Sequence, residues 1–572
     1  MYFKLLFPLM KNKIKLFIIG LIISAITVVL SLIPAKLTLE IIDQGIIAGN
    51  KNLVLLFVIL MIIVCLIRTI LRYYMILFFE KSSQELIGNL RTYLYNKIQS
   101  LDIGFFNKNS TGDLMSKMTG DIDIIRHTFS WIIYNSFEAI FVFILTFIYL
   151  STINFKLTLI LLVCAPIIVF LNIKMFKKLK PVHSKTREIY SELNSTVQEN
   201  ISANRVVKAF AREDYENKKM KEKNDAFSNI NLEAIKTWLS YYIPIDFFSI
   251  LLIVIANIFG AYFVINNELS LGEFVAFSGL TWALNYPVRL SGPIINDLQR
   301  FFATFEKISP LYFANPNIYD ASNTIPFNNI KGEIVFKNVC FEIENTTILK
   351  NINLTIKSGE TIGVMGPTGS GKTTLISLLL RLYDPTSGEI LIDGVNIKNI
   401  SLKNLRKSIG ISAQDVFLFS NTIEGNIAYS NPEMPSEDIS IYSTKACASE
   451  FVDKMPENYL TIIGERGVGL SGGQKQRISL ARALAVNAKI LILDDTTSSV
   501  DMDTEKQIQN ELNNVNNCTK IIIAQRISSV YKANKIIIIE NGIITNIGTH
   551  QKLKAKKGFY KRIYELQHSE LN

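Results

Sequence analysis

Gly366-Pro367-Thr368-Gly369-Ser370-Gly371-Lys372-Thr373 follows the apolar, β-branched run Thr361–Met365 and precedes the helix-forming stretch Thr374–Leu382. A strand, a glycine-rich loop and a helix in that order are the setting in which G-x-x-x-x-G-K-[ST] has a mechanism. The glycines let backbone N–H groups curl around phosphates, and the helix N-terminus adds positive potential. Lys372 is long enough to reach the β- and γ-phosphates of a nucleotide, and Thr373 can ligate Mg²⁺. Gly366, Pro367, Thr368, Gly369, Ser370, Gly371, Lys372, Thr373 and Thr374 are thus the candidate phosphate-binding residues. A second hydrophobic strand, Ile490–Leu493, ends in Asp494, a carboxylate placed to hold Mg²⁺ through water. Between the two motifs sits Leu470-Ser471-Gly472-Gly473-Gln474. From Lys331 onward, short β-branched runs alternate with helical stretches, which predicts an α/β domain.

Upstream of that domain the chain is written for a different solvent. The 572 residues exceed what one hydrophobic core serves, and a 49% hydrophobic fraction with mean hydropathy +0.26 coexists with 19% charged residues. Six apolar runs are long enough for a bilayer core: Ile14–Leu39, Leu53–Arg72, Phe129–Leu150, Leu157–Phe176, Trp238–Val264 and Leu271–Pro293. The first is too long for a signal peptide and has no A-x-A site after it, so a short elbow and a retained span are expected. Residues 80–127 carry six Lys or Arg and residues 174–237 carry fourteen, whereas the other connections hold Lys51, Lys156 and none. The positive-inside rule then places both long loops and both termini in the cytoplasm, so the net charge of +11 reports topology and not nucleic-acid binding. Helices are expected to continue below the membrane and to turn near Thr111–Asp121 and Ala211–Glu216. The five cysteines have no CxxC pair and are expected as reduced thiols.

With these motifs in view, the second domain resembles the ATP-binding cassette of ABC transporters. The whole chain is similar to their exporter type with six spans per subunit. Phe105-Phe106, Thr111-Gly112-Asp113, Arg205-Val206-Val207-Lys208-Ala209-Phe210 and Gly548-Thr549-His550 carry the resemblance outside the nucleotide motifs. It implies a six-span α-helical membrane domain with long cytoplasmic helix extensions (residues 1–309), a linker (310–330) and an α/β P-loop cassette domain (331–572). It also implies ATP and Mg²⁺ as ligands, Gln414 as a Q-loop residue on Mg²⁺, Gly464-Glu465-Arg466-Gly467 as the X-loop and Ser498–Asp501 as the D-loop. Ser471, Gly472, Gly473 and Gln474 would bind the γ-phosphate of ATP held by an opposite subunit, so that one chain closes neither site.

Three positions depart from the family pattern. The residue after Asp494, normally Glu, is Asp495, whose carboxylate retreats by one C–C bond, roughly 1.5 Å; general-base catalysis is sensitive to such a displacement. The switch position, normally His, is Gln525, which can hydrogen-bond a phosphate but carries no charge. The aromatic that usually stacks on adenine is replaced by Ile343. Together the changes resemble the degenerate-site subunit of bacterial heterodimeric multidrug exporters, with Asp495 and Gln525 as impaired catalytic residues beside Gln414. The expected partner is a second half-transporter in the cell membrane, and the expected cargo an amphipathic drug, lipid or peptide.

Other readings stay open at this level: a slow homodimer, an ATP-gated channel or regulatory subunit, and an importer. A soluble head of the DNA-repair type conflicts with the fused spans. Within those spans, Arg68, Arg72, Glu138, Asp246 and Arg289 are either pore-wall candidates or snorkelling and mutually paired residues.

Overall fold

The computed structural model describes residues 8, 10, 13–162, 164–321, 324–325, 327 and 330–569. Most of the expected N-terminal elbow lies outside them. The chain forms two compact units, residues 1–99 with 111–314, and 100–110 with 315–572.

The first unit is helical. Five helices are long and apolar enough to cross a membrane: Ile14–Ile47, Lys51–Ser100, Thr111–Ile153, Phe155–Ser202 and Glu213–Ile265. The sixth expected span lies in the helix Leu271–Phe313, whose apolar stretch among the described residues is the shorter Leu271–Leu284. At 1.5 Å per residue the 50-residue helix Lys51–Ser100 is about 75 Å long and the 53-residue Glu213–Ile265 about 80 Å, far beyond a bilayer core. The polar extension of Glu213–Ile265 is laced to the helix Cys164–Ser202 by ion pairs such as Lys223–Glu192 at 2.6 Å and Lys219–Glu199 at 3.3 Å. At the other end, Asp43 accepts from the Ser270 hydroxyl and, at 2.8 Å, from Gly272 N, which ties the first helix to the N-terminus of the last. A Cβ on Gly272 would lie 2.5 Å from the Leu39 carbonyl, so the close approach requires glycine. Leu157, Leu161, Leu252, Ala256, Phe277 and Leu280 form the core between these helices.

The turns differ from expectation. Residues 111–121 are helical, and the first reversal falls at 101–110, around the short helix Ile103–Lys108 capped by Asp102. The second falls around Asn204–Ala209, with Ala211 at a φ of 48°. The stretch expected to turn buries Leu114, Ile122 and Ile125 on one side, and that packing keeps it helical. The last helix runs through Pro310 to Phe313, beyond the expected start of the linker.

The second unit holds two sheets. Strands β1 (Ile334–Ile343), β2 (Thr346–Ile356), β4 (Ser387–Ile392) and β5 (Val395–Asn396) pair antiparallel in the order β2-β1-β4-β5. The other sheet runs β10-β9-β3-β8-β7-β6, from β3 (Thr361–Met365), β6 (Ile409–Ser412), β7 (Ile490–Asp494), β8 (Thr519–Ile523), β9 (Lys535–Glu540) and β10 (Ile543–Gly548). It is parallel apart from β10, and β7 and β8 are buried at every residue, as isoleucine-rich strands covered on both faces should be. The phosphate-loop strand β3 is central, and β7, which ends in Asp494, lies one strand away across β8. Segment 100–110 belongs to this unit: Asn107 Nδ2 donates to Tyr383 Oη at 2.7 Å and Asn317 N to Asp102 at 2.7 Å.

Candidate nucleotide site

Ligands in open parallel sheets bind beyond the carboxyl ends of the strands. The loops leaving β3, β6, β7 and β8 meet there in a cavity of about 590 Å³. Thr368, Gly369, Gly371, Lys372, Thr373, Thr374, Gln414, Asp494, Asp495 and Gln525 line it. Gly366 (φ 157°) must stay bare, because a Cβ there would meet the Ile539 carbonyl at 2.0 Å. Gly371, at a left-handed φ of 101°, caps the helix Lys372–Leu379, so this helix starts two residues earlier than its sequence pattern suggests. Lys372 and Thr373 therefore occupy its first turn, where backbone N–H groups are unsatisfied.

Lys372 Nζ donates to the Gly366 and Pro367 carbonyls at 2.9 and 2.7 Å, folding back over its own loop. Burial pushes its pKa down, and Asp494 and Asp495 work against that shift. Thr373 Oγ1 donates to Asp494 Oδ2 at 3.3 Å. Asp494 is buried, and burial holds its carboxyl above the usual carboxylate range, with neighbouring Asp495 adding to the shift. Asp495 is shifted up in the same direction, again by burial. The Ser370 hydroxyl is buried without a hydrogen-bond partner. A bare-glycine cradle, an orphaned hydroxyl, a lysine on the loop and a hydroxyl–carboxylate pair fit a phosphate chain carrying Mg²⁺.

The signature residues stand elsewhere. Ser471 caps the helix Gly472–Ala485 in a reciprocal box, its Oγ accepting from Gln474 N at 3.3 Å and Gln474 Oε1 from Ser471 N at 2.9 Å. Neither these two nor Gly472 and Gly473 line the cavity of Lys372. Among the other candidates, Asp246 lines a cavity of about 1040 Å³ in the helical unit; Arg68, Arg72 and Glu138 do not. The side chain of Arg289 lies outside the described residues. Of the alternatives, ion pairing of Arg68 or Arg72 with Glu138 or Asp246 is not found among the described residues. Cys65, Cys340, Cys447 and Cys518 are unpaired thiols.

Three residues that the motifs did not point to hold the site together. Gln476 donates to Ser498 Oγ at 2.9 Å and accepts from Ser499 N at 3.0 Å, joining the signature helix to the loop after Asp495. Buried Glu505 accepts from Ser529 at 2.6 Å, Ser528 at 3.2 Å, Thr497 at 3.3 Å and Arg526 at 3.1 Å. Gln567 accepts from Ile527 N at 3.0 Å and donates to the Gln525 carbonyl at 3.1 Å. A buried-network glutamate inside an amphipathic helix gives no local sequence signal.

The family models for the ABC transporter transmembrane region and the ABC transporter match residues 17–288 and 349–498. An uncharacterized ABC transporter ATP-binding protein of Bacillus subtilis, YknU, is 38% identical over 505 residues, 86% of each chain. The chain belongs to the ABC transporter family. An ATP-dependent lipid A-core flippase of Syntrophus aciditrophicus is 32% identical across 99% of this chain and 95% of its own. The structure of a bacterial Atm1-family ABC exporter with ATP bound shares the fold at a TM-score of 0.81 and 22% identity, covering 98% of this chain and 99% of that one. This ABC protein is therefore an exporter-type half-transporter, a multi-pass membrane protein with an ATP-hydrolysing cassette domain.

Proposed function

We propose that this chain is one subunit of a heterodimeric exporter, oriented with both termini and the cassette in the cytoplasm of a bacterial cell. Its own nucleotide site holds ATP and turns it over slowly, and its signature residues complete a competent site on the partner. The observation that carries this reading is the separation of Ser471–Gln474 from the cavity of Lys372 and Asp494. A γ-phosphate in that cavity needs a signature from another chain. Asp495 and Gln525 at the cavity wall, in place of Glu and His, support the assignment of this site as the slow one.

In this assignment Lys372 and the loop N–H groups would hold the β- and γ-phosphates. Thr373, Asp494 and Gln414 would hold Mg²⁺, which would supply positive charge to neutralise the phosphates. Asp495 is left to polarise water from too far back, and Gln525 donates a neutral hydrogen bond. The names of the relatives, a lipid A-core flippase and multidrug export proteins, support an amphipathic cargo.

The test is ATP hydrolysis by the purified full chain in lipid nanodiscs, alone and co-expressed with a half-transporter carrying the consensus Glu and His. The expected result is little turnover alone and at least about tenfold more in the pair. Robust turnover by the chain alone would make it a homodimer and end this reading.

A further inference from the structure

The helical unit contains a cavity of about 1040 Å³ between the helices Cys164–Ser202, Glu213–Ile265 and Leu271–Phe313. Its lining is graded along these helices. At the end nearer the apolar spans the wall is Phe176, Ile245, Ser249 and Pro293. Lys177 follows Phe176 directly, and beyond it Lys180, His183, Arg187 and Arg300 face the same space. From Lys177 to Arg187 is about 15 Å along one helix, so the cations form a band and not a point. The one carboxylate in the lining is Asp246, about 12 Å along its helix from Trp238 and on the apolar side.

We propose that this cavity is a binding site for an acidic amphiphile, whose anionic head sits in the cationic band and whose chain lies against the apolar end. Lys177, Lys180 and Arg187 have no ion-pair partner among the described residues, so their charge is available to a ligand. Arg300 is partly committed, 3.7 Å from Asp297, which also stands 3.5 Å from His127. Asp246 sets the polarity of binding: it repels an anionic head from the apolar end. Trp238 and Tyr242, stacked at 4.4 Å, give a flat aromatic wall beside the band, suited to the glycerol or sugar portion of a head group. At the apolar end the Phe176 ring packs directly on Gly292, where a Cβ would lie 2.6 Å from it, so this wall is closed by an aromatic ring. A bare lipid-facing surface would need cations only as snorkelling anchors; a concave space with one sign of charge at one end and apolar walls at the other fits a ligand. This inference deepens the export reading by naming the class of cargo, and it rests on that reading only for the word cargo.

The chain has three tryptophans, and one of them lines the cavity, which supplies a reporter. The full chain with Trp131→Phe and Trp282→Phe is placed in phosphatidylcholine nanodiscs, and Trp238 emission is titrated with dodecyl phosphate and with dodecyltrimethylammonium. The expected result is saturable binding with the phosphate preferred by about tenfold. Lys180→Glu with Arg187→Glu should reverse that preference, and Lys180→Gln with Arg187→Gln should abolish it, while ATP binding at Lys372 stays intact as a check of folding. Equal binding of the two probes, or a preference unchanged in both double variants, overturns the proposal. So does loss of the Trp238 response on assembly with a partner subunit, which would make the cavity a protein interface. Because the readout needs no hydrolysis, a chain that binds the phosphate probe yet works as a homodimer contradicts only the heterodimer reading.

Discussion

The two cavities handle charge in opposite ways. In the cassette, the groups that meet a phosphate are backbone N–H donors, the half-buried Lys372, the buried Asp494 and the half-buried Asp495, all held at strand ends. In the helical unit, the cations sit on long side chains of two helices, and Lys177, Lys180 and Arg187 among them have no ion-pair partner among the described residues. A rigid polar cradle can distinguish a nucleotide from its neighbours by fractions of an ångström, whereas a band of flexible cations recognises a class of molecule. With the helical cavity as the proposed cargo site, motor and cargo binding on one chain would need different physics: positioning in one, tolerance in the other.

Glycine substitutions give the largest expected contrast. Gly366→Ala should cost about 3 kcal/mol or more, because a β-carbon 2.0 Å from the Ile539 carbonyl forces the loop off β9, and ATP binding should be lost with it. Gly88→Ala, inside the exposed 50-residue helix with no neighbour within 4 Å, should stabilise by up to about 1 kcal/mol. Thermal unfolding followed by circular dichroism checks both.

Next in size are the two sites on the cassette itself. Ser471→Arg should reduce turnover of the assembled pair by on the order of a hundredfold, as loss of a group acting on transition-state charge does. Lys372→Ala should weaken ATP retention on this chain while leaving most of the turnover. If Lys372→Ala alone abolishes hydrolysis and Ser471→Arg is silent, the two sites have been assigned in reverse.

A smaller effect concerns Asp494. Its carboxyl titrates above the ordinary value of 3.8 because it is buried, so at neutral pH its charge opposes folding, and that cost vanishes as pH falls through the raised value. Asp494→Asn should therefore raise the Tm of the nucleotide-free protein at pH 7, by roughly 2–4 °C for about 1 kcal/mol, with the gain shrinking toward pH 4. The same variant should lose the Mg²⁺-dependent part of ATP binding. In the wild type, stabilisation by Mg²⁺ and ATP should decline as the pH is lowered, because protons compete for the same carboxylate. Differential scanning fluorimetry across pH, with and without Mg²⁺, reads all three.

The contrast also explains what could be read from the amino-acid order. The cassette site was legible because backbone geometry demands glycine at fixed spacings, so Gly366 to Thr373 and Asp494 stand out as words. Gln476, Glu505 and Gln567 were not, because each acts through a fold contact between distant segments, and a polar residue on a helix looks the same whether it faces water or a loop. The long helices followed from apolar length and the distribution of Lys and Arg, yet the first reversal was misplaced by ten residues: Asp102 capping Ile103–Lys108 outweighs the turn-like Thr111-Gly112-Asp113. Of Arg68, Arg72, Glu138 and Asp246, Asp246 alone lines the cavity of about 1040 Å³, since periodicity alone does not tell which face of a lipid-length helix meets its neighbours.

The claim that Asp495 and Gln525 make this chain's site slow is tested most directly by single-turnover retention of labelled ATP in the assembled pair, comparing the wild type with the double variant Asp495→Glu, Gln525→His. A persistent nucleotide bridging two cassettes shifts their open–closed equilibrium by its differential affinity, so slow release would hold the motor partly closed while the other site cycles. The account predicts that the double variant shortens retention by about tenfold or more, as restoring a general base does. Equal retention in the two proteins would contradict it.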